Sequence, residues 1–113
     1  VHEYSIVQAL LGQVERHARD HGASAVHRLH VSIGELSGVE VELLETAYDT
    51  FRERSICAAA ELEIHPVAAE WSCPGCAREI PRGTALRCSD CGLPARLTHG
   101  DEIVLDRIEM EVA

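Results

Sequence analysis

Two cysteine pairs constrain this chain more than any other feature. They fall as Cys73-Pro74-Gly75-Cys76 and Cys88-Ser89-Asp90-Cys91, with eleven residues between them. A CxxC pair bends its chain so that both sulfurs reach one ion, and two such hairpins complete a tetrahedral four-cysteine shell. A closed shell leaves no open coordination position, which predicts structural rather than catalytic Zn(II). A rubredoxin-like iron site, a dithiol redox pair and unrelated free thiols are the competing readings of the same four residues. Gly75 and Gly92 stand where the knuckle turns are expected to need relaxed backbone sterics. The fifth cysteine, Cys57, stands alone and reads as a small buried residue. An odd count, with no basic-then-apolar opening segment, argues against a secreted disulfide framework.

The texture of the chain changes around these pairs. Between Val67 and about Thr98 lie Pro74, Pro81 and Pro94, three of the four prolines, and the apolar residues show no sustained period. Thirty-odd residues with so little to bury cannot fold on hydrophobic contacts alone. Metal binding of roughly 10–16 kcal/mol in small zinc modules is ample to fold them. Residues 67–98 are therefore expected to form an inserted, four-cysteine, zinc-ribbon-like module.

The flanking segments carry regular periodicities. Ile6, Val7, Leu10, Leu11, Val14 and Ala18 recur at three- and four-residue steps, which predicts an amphipathic helix over 3–21 with Gly22 as its stop. The stretch 26–33 alternates, with Leu29, Val31 and Ile33 on one face and Arg28, His30 and Ser32 on the other. Ser37-Gly38-Val39-Glu40 has capping-box spacing and predicts a second helix to about Arg54, with Leu44, Ala47, Tyr48 and Phe51 on its buried stripe. Glu61–His65 alternates again, with Pro66 limiting or ending the strand. The segment 103–112 sets Ile108, Met110 and Val112 against Arg107, Glu109 and Glu111. The expected fold is α+β: a small three-stranded sheet with two helices on one face, formed by 1–66 and 99–113.

Ten arginines and no lysine against 19 acids leave a net charge of −9. Such a chain repels nucleic acid unless its arginines cluster, and in sequence they do not. A cationic partner or a metal ion suits it better. No apolar run of about 18 residues exists, so no membrane partner is expected and the expected location is cytoplasmic. No nucleophile–base pair and no glycine-rich phosphate loop is visible, so the chain is not expected to be an enzyme.

The opening Val1-His2-Glu3 offers a second metal site. A histidine at position two can chelate through the terminal amine, its own deprotonated amide and an imidazole nitrogen. That planar nitrogen arrangement is one Ni(II) or Cu(II) prefers. The Glu3 amide or side chain could add a donor. On this chemistry alone, a frayed terminal histidine remains the competing reading.

A resemblance adds to that reading. The opening His2-Glu3-Tyr4-Ser5-Ile6-Val7, the strand ending Val31-Ser32-Ile33-Gly34-Glu35-Leu36, the two CxxC knuckles and the closing Gly100-Asp101-Glu102-Ile103 with Ile108-Glu109 resemble the HypA/HybF family. The resemblance covers essentially the whole chain in the right order. Those proteins are nickel-incorporation chaperones of [NiFe]-hydrogenase maturation. It implies Ni(II) as transient cargo at His2 and Glu3, with Val1 contributing main chain where the family has Met. It also implies zinc at Cys73, Cys76, Cys88 and Cys91. The implied partners are a nickel-handling GTPase and the hydrogenase large subunit, with a homodimer allowed. The alternative function is a zinc-stabilised interaction adaptor without a nickel role.

The remaining histidines and acids have simpler readings. His17 and His21 share a helical face at the end of the first helix and read as solvated, complementing its dipole. His27 and His30 point to opposite faces of the first strand and cannot pair locally. His65 and His99 flank the insert at its junctions and are candidates for a secondary ligand or a metal- or pH-sensing role. Glu40, Glu42 and Glu45 read as a solvated helix side.

Overall fold

A computed structural model describes residues 2–83 and 85–112 of the chain, His2 through its main chain only. The order of elements is α1 (His2–His21), β1 (Ala23–Gly34), α2 (Val41–Phe51) with a 3-10 turn over Arg52–Arg54, β2 (Glu61–Val67), β3 (Glu70–Ser72), β4 (Glu79–Ile80), β5 (Arg96–His99) and β6 (Ile103–Val112). Two three-stranded sheets result, one ordered β2-β1-β6 and one ordered β4-β3-β5. Contacts divide the chain into two compact units. The first takes the chain up to Ser32, Val39–His65 and the chain from Val104 on; the second takes Ile33–Gly38 and Pro66–Ile103.

The first unit holds both helices and most of the β2-β1-β6 sheet. Val7, Leu10, Leu11, Val14 and Ala18 of α1, Leu44, Ala47 and Tyr48 of α2, and Val26, Leu29 and Val31 of β1 are all buried. Burial of each such aliphatic side chain contributes roughly 1.5–3 kcal/mol, which is why α1 holds its one apolar stripe inward. Gly22 ends α1 at a φ of 66°. Its N–H donates to the Arg19 carbonyl at 3.2 Å, and His21 Nδ1 meets the His17 carbonyl at 2.8 Å. The Tyr48 hydroxyl donates to the Ala60 carbonyl at 2.9 Å. Arg52 Nη1 reaches the same oxygen at 2.7 Å, so the polar end of a buried ring is satisfied.

Three details differ from the sequence expectation. The capping box does not form: Ser37 lies in a turn, α2 opens at Val41, and its N-cap, Glu40, makes no side-chain cap bond. Ser37 N–H instead donates to the Gly34 carbonyl at 3.1 Å, because the chain needs that turn to leave β1. Phe51 is only half-buried, its ring meeting Tyr4 edge-on at 5.6 Å. Pro66 lies inside β2 rather than ending it. β2 is an edge strand, the place in a sheet where proline is tolerated.

The second unit has a sheet that the aperiodic sequence did not announce. β3 is central, with Trp71 opposite Ile80 of β4 and opposite Leu97 of β5. The turn after β1 belongs to this unit. Glu35 N–H donates to the Val67 carbonyl at 2.8 Å, Leu36 N–H to Gly100 at 2.7 Å, and Gly34 N–H to Glu102 at 2.9 Å. Gly34 and Gly100 pack main chain to main chain. A Cβ on Gly34 would overlap the Gly100 carbonyl group, and one on Gly100, whose φ is 102°, would sit 2.6 Å from Ala69 Cα. Here a side chain has no room, whatever its chemistry.

Candidate metal centre

The two knuckles repeat one hairpin. Cys73 N–H donates to the Arg78 carbonyl and Ala77 N–H to the Cys73 carbonyl, both at 2.9 Å; Cys88 N–H donates to Leu93 and Gly92 N–H to Cys88, again at 2.9 Å. The residue that closes each turn is left-handed: Ala77 at φ 59° and Gly92 at φ 69°. Gly92 fills the role expected of it. In the first knuckle that role falls to Ala77, four residues after Cys73, and not to Gly75. Gly75 is small for another reason: a Cβ there would meet Leu93 Cδ1 at 2.9 Å.

These hairpins bring four sulfurs together, all within 4.8 Å of one another. Cys73 and Cys91 Sγ are 3.2 Å apart, Cys76 and Cys88 3.7 Å, and Cys91 lies 3.5 Å from both Cys76 and Cys88. A disulfide needs about 2.05 Å, so these are four separate thiols. Four sulfurs at about 2.3 Å from one Zn(II) would lie about 3.8 Å apart, so the donor set fits that ion with a slight opening. Cys73 and Cys88 are buried, while Cys76 and Cys91 are exposed. Trp71 and Ala95 pack on the buried pair together with Ile80.

The main chain prepares two of these sulfurs for the anionic form. The N–H of Cys76, with further help from Gly75, holds the Cys73 thiol down to about 6. The N–H groups of Cys91 and Asp90 lower Cys88. Cys91, hydrogen-bonded to the three other sulfurs, is pushed up instead. Four adjacent thiolates repel one another, and a dication is what lets all of them ionise together.

Around the centre, Arg78 pairs with Asp90 at 2.7 Å and links the two knuckles. Arg87 Nη1 donates to the Gly92 carbonyl at 2.6 Å. The Glu35 carboxylate takes both Nη groups of Arg82, at 2.5 and 2.8 Å, and the Ala69 N–H at 2.8 Å.

The other sequence candidates lie as follows. Val1 and the His2 side chain fall outside the described residues. The main chain of His2 opens α1. Glu3 is buried at 7% exposure and engaged within the protein. His99 stands 3.9 Å from Glu70. His65 stacks on His30, with ring centroids 5.5 Å apart and planes 5° from parallel. Along its own strand His30 has no partner, which is why the sequence did not reveal this one. The alternation of β1 and β2 put His30, Glu63 and His65 on wet faces, but only strand order makes those faces one.

Fold and centre together describe a small α+β protein with a four-sulfur cluster able to hold a metal ion. The HypA family, described as hydrogenase/urease nickel incorporation metallochaperones, matches residues 1–110. The chain is 41% identical to hydrogenase maturation factor HypA of Wolinella succinogenes, over 98% of this chain and 96% of that one. It is 39% identical to the same factor of Aquifex aeolicus, over 99% of both. Among solved structures, the Ni metallochaperone HypA of Helicobacter pylori superposes with a TM-score of 0.76 at 32% identity, covering 98% of each chain. A second HypA solution structure gives 0.83 at 33% identity, covering 99% of this chain and 98% of that one. The chain belongs to the HypA family of nickel-incorporation metallochaperones in hydrogenase maturation, as the sequence resemblance implied. No described helix is long and apolar enough to cross a membrane.

Proposed function

We propose that this chain binds Ni(II) as transient cargo at its N-terminus and surrenders it to the [NiFe]-hydrogenase large subunit, with a nickel-handling GTPase as partner, in the cytoplasm. The family match over residues 1–110 carries the reading. The opening of α1 at His2 supports it. The first N–H groups of a helix have no intrahelical acceptor, so the His2 amide is available to lose its proton and chelate beside the terminal amine and the imidazole. The positive end of the helix dipole favours that amide anion but opposes the dication. Such a balance keeps affinity moderate, which suits an ion that must leave by ligand exchange. Because the donors must shed protons, nickel binding should weaken on acidification.

The α+β part of the chain takes the nickel role and the cysteine-bearing part the zinc role. Cys73, Cys76, Cys88 and Cys91 would hold a structural Zn(II), and the sulfur separations fit that assignment. This ion supplies folding energy and no reaction step. The test is calorimetric titration with Ni(II) on untagged protein of verified N-terminus, beside elemental analysis. His2→Ala should lose the N-terminal nickel equivalent yet keep one zinc per chain. Unchanged nickel binding in that variant would overturn the reading.

A further inference from the structure

We infer that His30, Glu63 and His65 form a second, solvent-open site for a late first-row divalent ion, of the Ni(II) or Zn(II) class. The three side chains come from the wet face of neighbouring strands β1 and β2, and their donor atoms converge. His30 Nδ1 lies 3.0 Å from Glu63 Oε2 and 3.2 Å from His65 Nε2. His65 Nε2 is 4.0 Å from the same Glu63 oxygen. Nitrogen and oxygen donors at about 2.0–2.1 Å from one ion stand about 2.9–3.4 Å apart, according to geometry. The observed triangle spans that range with one edge slightly open.

Behind the triangle lies a group that orients it. The Glu109 carboxylate on β6 meets His30 Nε2 at 2.5 Å. A His30 tautomer that donates its Nε2 proton to this carboxylate would present Nδ1 as a lone-pair donor to the other two groups, as in carboxylate–histidine–metal arrangements. His30 itself is well buried, its side chain 13% exposed, whereas Glu63 and His65 are near half-exposed. Nδ1 and the Glu63 oxygen stand 3.0 Å apart, a separation that suits two donors on one ion. His65 Nε2, 3.2 Å from Nδ1, adds the third donor that a single shared proton would leave unused.

Two arginines temper the site. Arg107 Nη2 lies 3.3 Å from His30 Nε2 and from Glu109, and Arg28 reaches Glu63 at 3.8 Å. Their charges offset part of the carboxylates', which places affinity below that of a closed site. Two imidazoles and one carboxylate suit late transition ions and not Mg(II). Three protein donors leave positions for water or for a donor from another molecule.

The inference stands apart from the N-terminal site, and one experiment separates them. Full-length, zinc-loaded protein carrying His2→Ala is titrated with Ni(II), Zn(II) and Mg(II), with and without His65→Ala or Glu63→Gln. One Ni(II) equivalent should remain in the His2→Ala protein, be lost on adding His65→Ala, and weaken at least tenfold with Glu63→Gln. Mg(II) should give no heat. Glu109→Gln, which leaves the three donors in place, should weaken the ion by about 10–100-fold. Zinc should shift the imidazole resonances of His30 and His65 together. If the His2→Ala protein binds no nickel or zinc beyond the cysteine-bound ion, or if residual binding survives His65→Ala, the inference fails. The N-terminal reading would still be judged separately, by His2→Ala in the His65→Ala background.

Discussion

Glu35 and Arg82 face each other fork to fork, two parallel charge-assisted bonds 47 residues apart in the chain. The pair fastens the turn after β1 to the segment that carries the cysteines, within the second unit. Arg82 is the chief cause, and the Ala69 N–H the next, of a Glu35 carboxyl held at about 2 rather than 4.5. A folded value below the unfolded one means the pair's stabilisation is present above about pH 4.5 and lost as pH falls toward 2. Wild type and Glu35→Gln should therefore differ in unfolding midpoint by a constant amount from pH 7 to 5. The gap should close on further acidification. The comparison is made at matched zinc occupancy, because loss of the ion would by itself undo the unit that holds the pair. A gap as wide at pH 2 as at pH 7 would show that the charge on Glu35 is not what holds the turn.

Gly34→Ala and Gly100→Ala should each destabilise the second unit by about 1–3 kcal/mol, since the added methyl meets main chain that cannot rotate aside. Gly12→Ala is the control, because a Cβ there meets nothing within 4 Å, and it should be neutral or stabilising. Chemical denaturation is the measurement, followed by Trp71 fluorescence for the second unit and by far-UV circular dichroism for Gly12→Ala in α1. Trp71 is the only tryptophan in the chain and lies against the cysteine cluster, so its emission reports this unit.

Ala77 holds a left-handed backbone that costs a residue with a Cβ about 1–2 kcal/mol. Ala77→Gly should recover part of that, up to about 1 kcal/mol once the greater freedom of glycine in the unfolded chain is set against it. Gly92→Ala, in the equivalent place of the other knuckle, should lose a similar amount. Competition with a zinc chelator, read through Trp71, checks both: the first should slow or weaken metal removal and the second promote it.

The two helices and the three strands of the first sheet were legible because their apolar residues obey one period at a time. Val7, Leu10, Leu11, Val14 and Ala18 leave α1 one way to bury itself, and Leu29 and Val31 do the same for β1. What failed was local chemistry overruled by tertiary need. Ser37 has the side chain of a helix cap, but it lies in the turn after β1, and α2 opens only at Val41. The small sheet around Trp71 was hidden because its strands are two to four residues long and are set by the knuckles rather than by their own pattern. Ala77 was passed over because glycine is the usual sign of a left-handed turn, and here the hairpin hydrogen bonds impose one on alanine. The four cysteines were plain from spacing alone. The cluster of His30, Glu63 and His65 was not, since pairing across strands depends on register, and a single sequence does not print register.

Each knuckle contributes one sulfur under apolar cover, Cys73 or Cys88, and one that faces water, Cys76 or Cys91. Attack on the centre is therefore lopsided: an incoming chelator or electrophile meets the outer couple first, while the inner couple keeps its grip. Release of the ion should run as a peeling from one side, and a chain half-stripped in this way still has the anchor from which it can close again.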